Sequence, residues 1–327
     1  MKSLNNYIKK KNSRKILFTP GPASLSKENI EGLEPAFGRG DVQYDSDLKY
    51  VLKKLKSFSK HKKIVCMQGS GSFAIELMCY NFLKGNVLVV NTGYYAKRII
   101  SICKNLKKLR RIKNVFEIDW KLFNKYKSNK KIDWMIACPT ETSIGLRLPI
   151  KDLYRFSKKI KSKLMLDSTA SFPIEKNHNL ADVISYSSCK ALCGLTGASF
   201  INYNSKPNYF HNSFYLNLKN HEKKKMTGPY HTILSLKNVL KKYSGFKQSI
   251  INNKKYFQKK FRKNLIYKSK NQPLLCTYIN KQITPKLKKV ILYRSRSKII
   301  GSVVSHLGEA HLKEKSKGSI INFLKNE

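Results

Sequence analysis

The chain has 327 residues, enough to bury a sizeable core in one large domain with a smaller companion. Lysine and arginine number 66 against 19 acidic residues, a net charge of +47. The lysines are scattered over nearly every exposed helical position, with no basic stripe and no aromatic platforms between them, so the excess reads as compositional drift and no specific nucleic-acid partner is expected. No apolar run approaches the roughly 20 residues of a membrane span, and no apolar leader follows the basic start, so a cytoplasmic protein with no membrane partner is expected.

After a polar arm over residues 1–15, Pro-Gly-Pro at 20–22 dictates an extended turn that cannot be helix. Ser26 with Asn29 three positions on reads as a helix start. Phe37 to Tyr44 is a loop in which glycines flank Arg39, serving equally as a surface turn or as a means for Arg39 to reach into a cleft. A helical period runs from Tyr50 to Phe58, and Lys63–Met67 reads as a strand. The turn Gly69-Ser70-Gly71-Ser72 then opens a helix. That layout can hold an anion on free N–H groups and hydroxyls, or can be a plain helix cap.

The pattern repeats. Asn86–Val90 is a strand ending in Thr92-Gly93-Tyr94-Tyr95, where Tyr94 is placed either to stack on a planar ligand or to pack in the core. Val115–Ile118 and Trp134–Cys138 are further strands, the second ending in Thr140-Glu141-Thr142-Ser143. A helix over about 153–160 leads to the strand Lys163–Leu166, closed by Asp167. Asp167 ends an apolar run and needs a cation if buried. Ala181–Tyr186 and Ala198–Tyr203 are strands on either side of Ser188-Cys189-Lys190. Further on, helices are expected over about 233–243 and up to about 265. Strands follow near 273–279, 289–293 and 301–305, then a final helix from about Ala310 to Phe323. Alternating strands and helices imply an α/β fold with a mostly parallel sheet flanked by helices, its polar groups gathered past the strand C-termini where ligands bind. The expected boundaries are 1–15 for the arm, 16–250 for the large domain and 251–327 for a small α+β domain.

Lys190 stands out because of its position. It is either an ordinary surface-turn lysine or one buried between two apolar strands, where desolvation would lower its pKa and leave the neutral amine that attacks an aldehyde. The seven cysteines show no paired spacing. Cys189 and Cys193 lack a following His/Cys pair, so no metal site is expected.

Thr-Pro-Gly-Pro at 19–22, Gln-Gly-Ser-Gly-Ser at 68–72 with Glu76, Glu-Thr-Ser-x-Gly at 141–145, Asp-Ser-Thr-Ala-Ser-Phe at 167–172 and Ser-Cys-Lys at 188–190 occur in that order. Together they resemble the class V, fold-type I aminotransferases, which use pyridoxal 5'-phosphate, and most of all the 2-aminoethylphosphonate–pyruvate branch. The resemblance spans Pro20 to about Thr232. It implies that Lys190 carries the cofactor as an aldimine and shuttles the proton, and that Asp167 pairs with the protonated pyridine nitrogen. It implies a phosphate site of Ser70, Gly71 and Ser72, completed by Thr232 of a neighbouring subunit, and hence a homodimer with shared sites. Tyr94 then stacks on the ring, Ser143 contacts the cofactor near its phenolic oxygen, and Ser188 lies in the turn on the phosphate side.

The implied reaction moves an amino group from a small anionic amine such as 2-aminoethylphosphonate to pyruvate or a related 2-oxo acid. Alanine– or serine–glyoxylate transamination is the neighbouring alternative. A basic nucleic-acid-binding protein on the same fold is the alternative of another class. One departure stands out. Relatives carry a substrate-gripping arginine in the C-terminal domain, where alignment on Leu307-Gly308-Glu309 puts Val303. Arg39, Arg294 and Arg296 are the candidates to replace it.

Overall fold

The apolar runs expected to be strands between residues 63 and 203 lie side by side in one sheet, while those expected near 273–279, 289–293 and 301–305 pair outside it. A computed structural model describes residues 2–127, 129–312 and 319–325. Helix α1 (Lys2–Arg14) leads to β1 (Ile16–Phe18), α2 (Lys27–Glu31) and α3 (Val42–Ser59). The alternating region follows with β2 (Lys63–Gln68), α4 (Gly71–Phe82), β3 (Asn86–Asn91), α5 (Tyr94–Lys108), β4 (Asn114–Asp119) and β5 (Trp134–Ala137). Next come a short hairpin of β6 (Thr140–Glu141) and β7 (Leu146–Arg147), α6 (Ile150–Lys159), β8 (Lys163–Asp167), β9 (Val183–Ser187) and β10 (Ala198–Tyr203). The remainder is α7 (Leu218–Glu222), α8 (Tyr230–Lys241), α9 (Tyr243–Lys260), β11 (Cys276–Ile279), β12 (Val290–Leu292), β13 (Ser302–Ser305), α10 (Leu307–Leu312) and α11 (Ser319–Asn322).

Seven strands form the sheet in the order β2-β10-β9-β8-β5-β3-β4. Strand β10 runs antiparallel to both its neighbours, and the other adjacent pairs are parallel. Successive side chains of a strand point to opposite faces, and both faces here are covered. Val87 and Val89 pack with α4 and α5, whereas Leu88 and Val90 pack with residues of α3, α6 and α8. Burial on both faces is why these strands read as continuous apolar runs. No helix of the described residues is long and apolar enough to cross a membrane.

Local signals account for several element ends. Ser26 caps α2 in a reciprocal capping box with Asn29. The arm is helical, and Asn12 ties it to the backbone of Leu25 by two hydrogen bonds of 2.8 and 3.0 Å. Strand β1 pairs with β12, and Phe18 joins Phe257, Val290 and Val304 in a separate apolar cluster. The start of the chain is therefore built into its C-terminal part. The single final helix expected from Ala310 is instead α10, starting at Leu307, and the separate α11, with residues 313–318 outside the described residues. Leu307, fully buried, begins the first of these helices three residues before the expected start at Ala310.

Candidate active site

The C-terminal ends of β2, β5, β8 and β9 open onto one cleft of about 280 Å3. Lys190 lines it from the loop after β9, which is held tight. Cys193 N–H donates to Lys190 O and Gly194 N–H to Ser188 O, both at 2.8 Å. Lys190 is partly rather than fully buried, and its amine donates to Gly21 O at 3.4 Å. The Pro-Gly-Pro turn is thus one wall of the site. Gly21 has φ +116°, and a Cβ there would lie 2.0 Å from Cys189 O and 2.8 Å from Lys190 Cα. Only glycine fits that approach.

Asp167 ends β8 and is 3% exposed. Its Oδ1 accepts from Thr169 N–H (3.1 Å) and Thr169 Oγ1–H (2.6 Å). Burial pushes the carboxyl up, against the pull of the Thr169 bonds and of the Arg98 and Lys190 charges. Among the described residues no cation forms an ion pair with it. The third pole is the N-terminus of α4. Ser70 is the N-cap, and its Oγ accepts from Phe73 N–H at 3.4 Å. Gly71 lies so close to Thr169 that a Cβ would approach its Cγ2 to 2.8 Å. Ser72 Oγ accepts from Arg98 Nη1 at 2.5 Å.

Of the residues singled out by sequence, Ser70, Gly71, Ser72, Asp167, Lys190 and Arg296 line this cleft. Tyr94, Ser143, Ser188, Thr232, Arg39 and Arg294 do not. Tyr95, one position on, faces the cleft, while the Tyr94 hydroxyl accepts from Arg296 Nη1 at 3.2 Å. That bond and the Arg296 charge hold the Tyr94 phenol below its ordinary range. Ser143 is turned away to donate to Glu141 Oε1 (2.5 Å), and its neighbour Thr142 lines the cleft. Ser188 is fully buried and donates to Leu195 O and to Ala198 O, leaving Ser187 and Cys189 on the cleft side. Thr232 donates to the O of Thr196, a residue of the cleft lining, at 2.9 Å. Arg39 is exposed and lines a different cavity with Tyr44 and Tyr230, and Arg294 lines a groove beside β12 and β13.

Sequence reasoning missed Tyr95, Arg98 and the structural role of Glu141. Gly93, the N-cap of α5, makes no side-chain cap. Glu141, fully buried, reaches across from the β6–β7 hairpin, and its Oε2 accepts from Tyr95 N–H (3.0 Å) and Ala96 N–H (3.4 Å). A carboxylate there satisfies orphan donors and complements the positive helix end. Burial raises its pKa, opposed by the bonds from Ser143, Tyr95 and Ala96. Arg98 was legible as the residue three after Tyr95 on the same helical face.

An amine, a buried carboxylate awaiting a cation, and a helix N-terminus rich in hydroxyls surround a space of small-molecule size. The set fits a flat molecule carrying an aldehyde, a basic ring nitrogen and a phosphate.

No family model matches the chain. A bifunctional phosphonoacetaldehyde hydrolase/aminoethylphosphonate transaminase of Clostridioides difficile is 28% identical over 200 residues, 57% of this chain and 31% of that protein. A 2-aminoethylphosphonate–pyruvate transaminase of Bacillus mycoides is 27% identical over 203 residues, 57% of this chain and 54% of that protein. The chain thus spans about half, or less, of the length of these relatives. Among solved structures, an alanine–glyoxylate aminotransferase of Nostoc sp. superposes with a TM-score of 0.75 at 15% identity, covering 89% of each chain. A phosphoserine aminotransferase of Cytophaga hutchinsonii gives 0.73 at 15% identity, covering 91% of this chain and 95% of that one.

Proposed function

We propose that this chain, which has the fold of the class V, fold-type I aminotransferases, is a pyridoxal 5'-phosphate-dependent aminotransferase. It moves an amino group between a small anionic amine, 2-aminoethylphosphonate foremost, and pyruvate or a related 2-oxo acid. The observation that carries this reading is the convergence of Lys190, Asp167 and the α4 N-terminus on one cleft. The names of the two relatives support the choice of substrate.

When bound, the cofactor supplies an aldehyde that captures amines and a protonated ring that stores the electron pair released at the substrate carbon. Lys190 Nζ would hold the cofactor through its aldehyde and would be placed to move the proton at the amine-bearing carbon. Asp167 would keep the ring nitrogen protonated, and that cation would offset the desolvation of the carboxylate. The N–H groups of the first α4 turn and the hydroxyls of Ser70 and Ser72 would hold the phosphate, and Tyr95, which lines the cleft, would be available to the ring. The active unit is a homodimer in which Thr232 serves the phosphate site of the other chain. Its position outside its own cleft supports that arrangement.

The test is spectroscopic. Purified protein incubated with pyridoxal 5'-phosphate should gain a visible band that Lys190→Ala lacks. Adding 2-aminoethylphosphonate should discharge the band, and pyruvate should restore it. Discharge by alanine with recovery by glyoxylate, and none with the phosphonate, would assign the alanine–glyoxylate reaction instead. A wild-type chain that takes up no cofactor refutes the reading.

A further inference from the structure

Three cationic side chains of the described residues line the cleft: Lys190, Arg98 and Arg296. Lys190 is engaged by the proposed chemistry. Arg98 is drawn to Ser72 Oγ at 2.5 Å and lies 5.4 Å from the centroid of the Tyr95 ring. Arg296 has no such task. Its guanidinium is 5.5 Å from the centroid of the Tyr94 ring and donates to the Tyr94 hydroxyl, and no carboxylate of the described residues pairs with it.

An exposed arginine on an irregular segment would ordinarily lose much side-chain entropy on gripping a ligand. Here the segment is already fastened. Ser295 Oγ donates to Ser143 O and to Ser297 O, and Ser297 Oγ donates to Ser143 Oγ at 3.0 Å. Ser143 in turn is bonded to Glu141, the carboxylate that caps α5, and α5 begins with Tyr94. The buried Glu141 carboxylate thus touches both the Ser143 hydroxyl that Ser297 bonds and the first turn of the helix that carries Tyr94. Such pre-ordering lowers the penalty of binding, and a guanidinium pairs with carboxylates and phosphonates through two parallel hydrogen bonds. Arg39 and Arg294 lie in other cavities.

We infer that Arg296 grips the anionic group of the amino donor, with Tyr94 and the Ser143–Ser295–Ser297 hydroxyls as its positioning residues. The inference rests on the transaminase reading above and narrows it to donors that carry a phosphonate or carboxylate.

The test uses the cofactor-loaded full chain and three amines: 2-aminoethylphosphonate, L-alanine, and ethylamine, which is what either of the others becomes without its anionic group. Wild-type protein should prefer an anionic donor to ethylamine. In Arg296→Gln the KM for that donor should rise about 30- to 100-fold with kcat changed only a few-fold, so that its advantage over ethylamine largely disappears. Arg296→Lys should recover part of the loss. Tyr94→Phe, which keeps the ring and removes the hydroxyl, should raise KM roughly 3- to 10-fold with the visible band intact. Arg294→Gln should behave as wild type. An unchanged preference in Arg296→Gln, or a collapse in Arg294→Gln instead, overturns the inference while leaving the transaminase reading standing. Failure of the wild type to take up cofactor is seen before any donor is added, and it removes both.

Discussion

Replacing Asp167 by asparagine should make the cofactor-free protein more stable and the enzyme nearly inactive. In the folded chain the carboxyl is 3% exposed, and both of its hydrogen bonds go to Oδ1 from Thr169. Asparagine keeps an acceptor at that position and removes the charge. A desolvated carboxylate without a cation costs several kcal/mol, of which two charge-assisted bonds return most, leaving about 1–3 kcal/mol to be gained by the substitution. The pH dependence has a definite sign. Burial raises the folded pKa of Asp167 above its unfolded value, so the folded chain binds the extra proton between the two values, and wild-type stability falls as pH rises through the folded pKa. The variant's advantage should therefore be full above the folded pKa of Asp167 and shrink as pH falls through it, where the wild-type carboxyl takes up its own proton. Thermal unfolding of the cofactor-free proteins should show a rise in Tm of roughly 2–6 °C at the higher pH. Loss of the carboxylate opposite the ring nitrogen should lower the turnover of the loaded enzyme by about 100- to 1000-fold. A variant that is less stable without cofactor, or one whose advantage does not change with pH, would refute the reasoning.

Gly21→Ala should destabilise the fold by about 2–5 kcal/mol and abolish the visible band, since the added carbon meets the backbone beside Lys190. Gly40→Ala, at φ +81° with nothing within 4 Å, isolates the conformational part at about 1 kcal/mol, so equal losses of denaturation midpoint would sink the steric account. Lys254 is 7% exposed, donates to Gln272 O at 3.1 Å and is pushed down to about 8 by burial, from an ordinary 10.5. Between those values the unfolded chain holds the proton and the folded chain does not, so stability rises with pH there. Urea denaturation of wild type and Lys254→Met should show wild type gaining on the variant from about pH 8 to about pH 10, and a constant difference would contradict the burial.

Much of the sheet and the poles of the cleft could be read from the residues alone. Strands buried on both faces must be apolar runs, so β3, β5, β8, β9 and β10 announce themselves. A polar residue at the end of such a run, Asp167 or the Ser70–Ser72 turn, is conspicuous because water is absent behind it. Gly21 is legible as a turn, though not as the wall that touches Lys190. Where the residues that sequence points to and those lining the cleft differ, they differ repeatedly by one position: sequence points to Tyr94, Ser143 and Ser188, and Tyr95, Thr142 and Ser187 line the cleft. One step along a strand reverses the side chain, and one step along a helix turns it by about 100°. The face that meets the cleft depends on how each turn leaves its strand, and packing against distant segments sets that angle: Glu141 on the start of α5, Ser295 and Ser297 on Ser143, and Leu195 and Ala198 on Ser188. The choice among Arg39, Arg294 and Arg296 is of the same kind. All three are exposed cations with little local pattern, and only the packing of the C-terminal segment against Tyr94 and Ser143 puts one of them on the cleft.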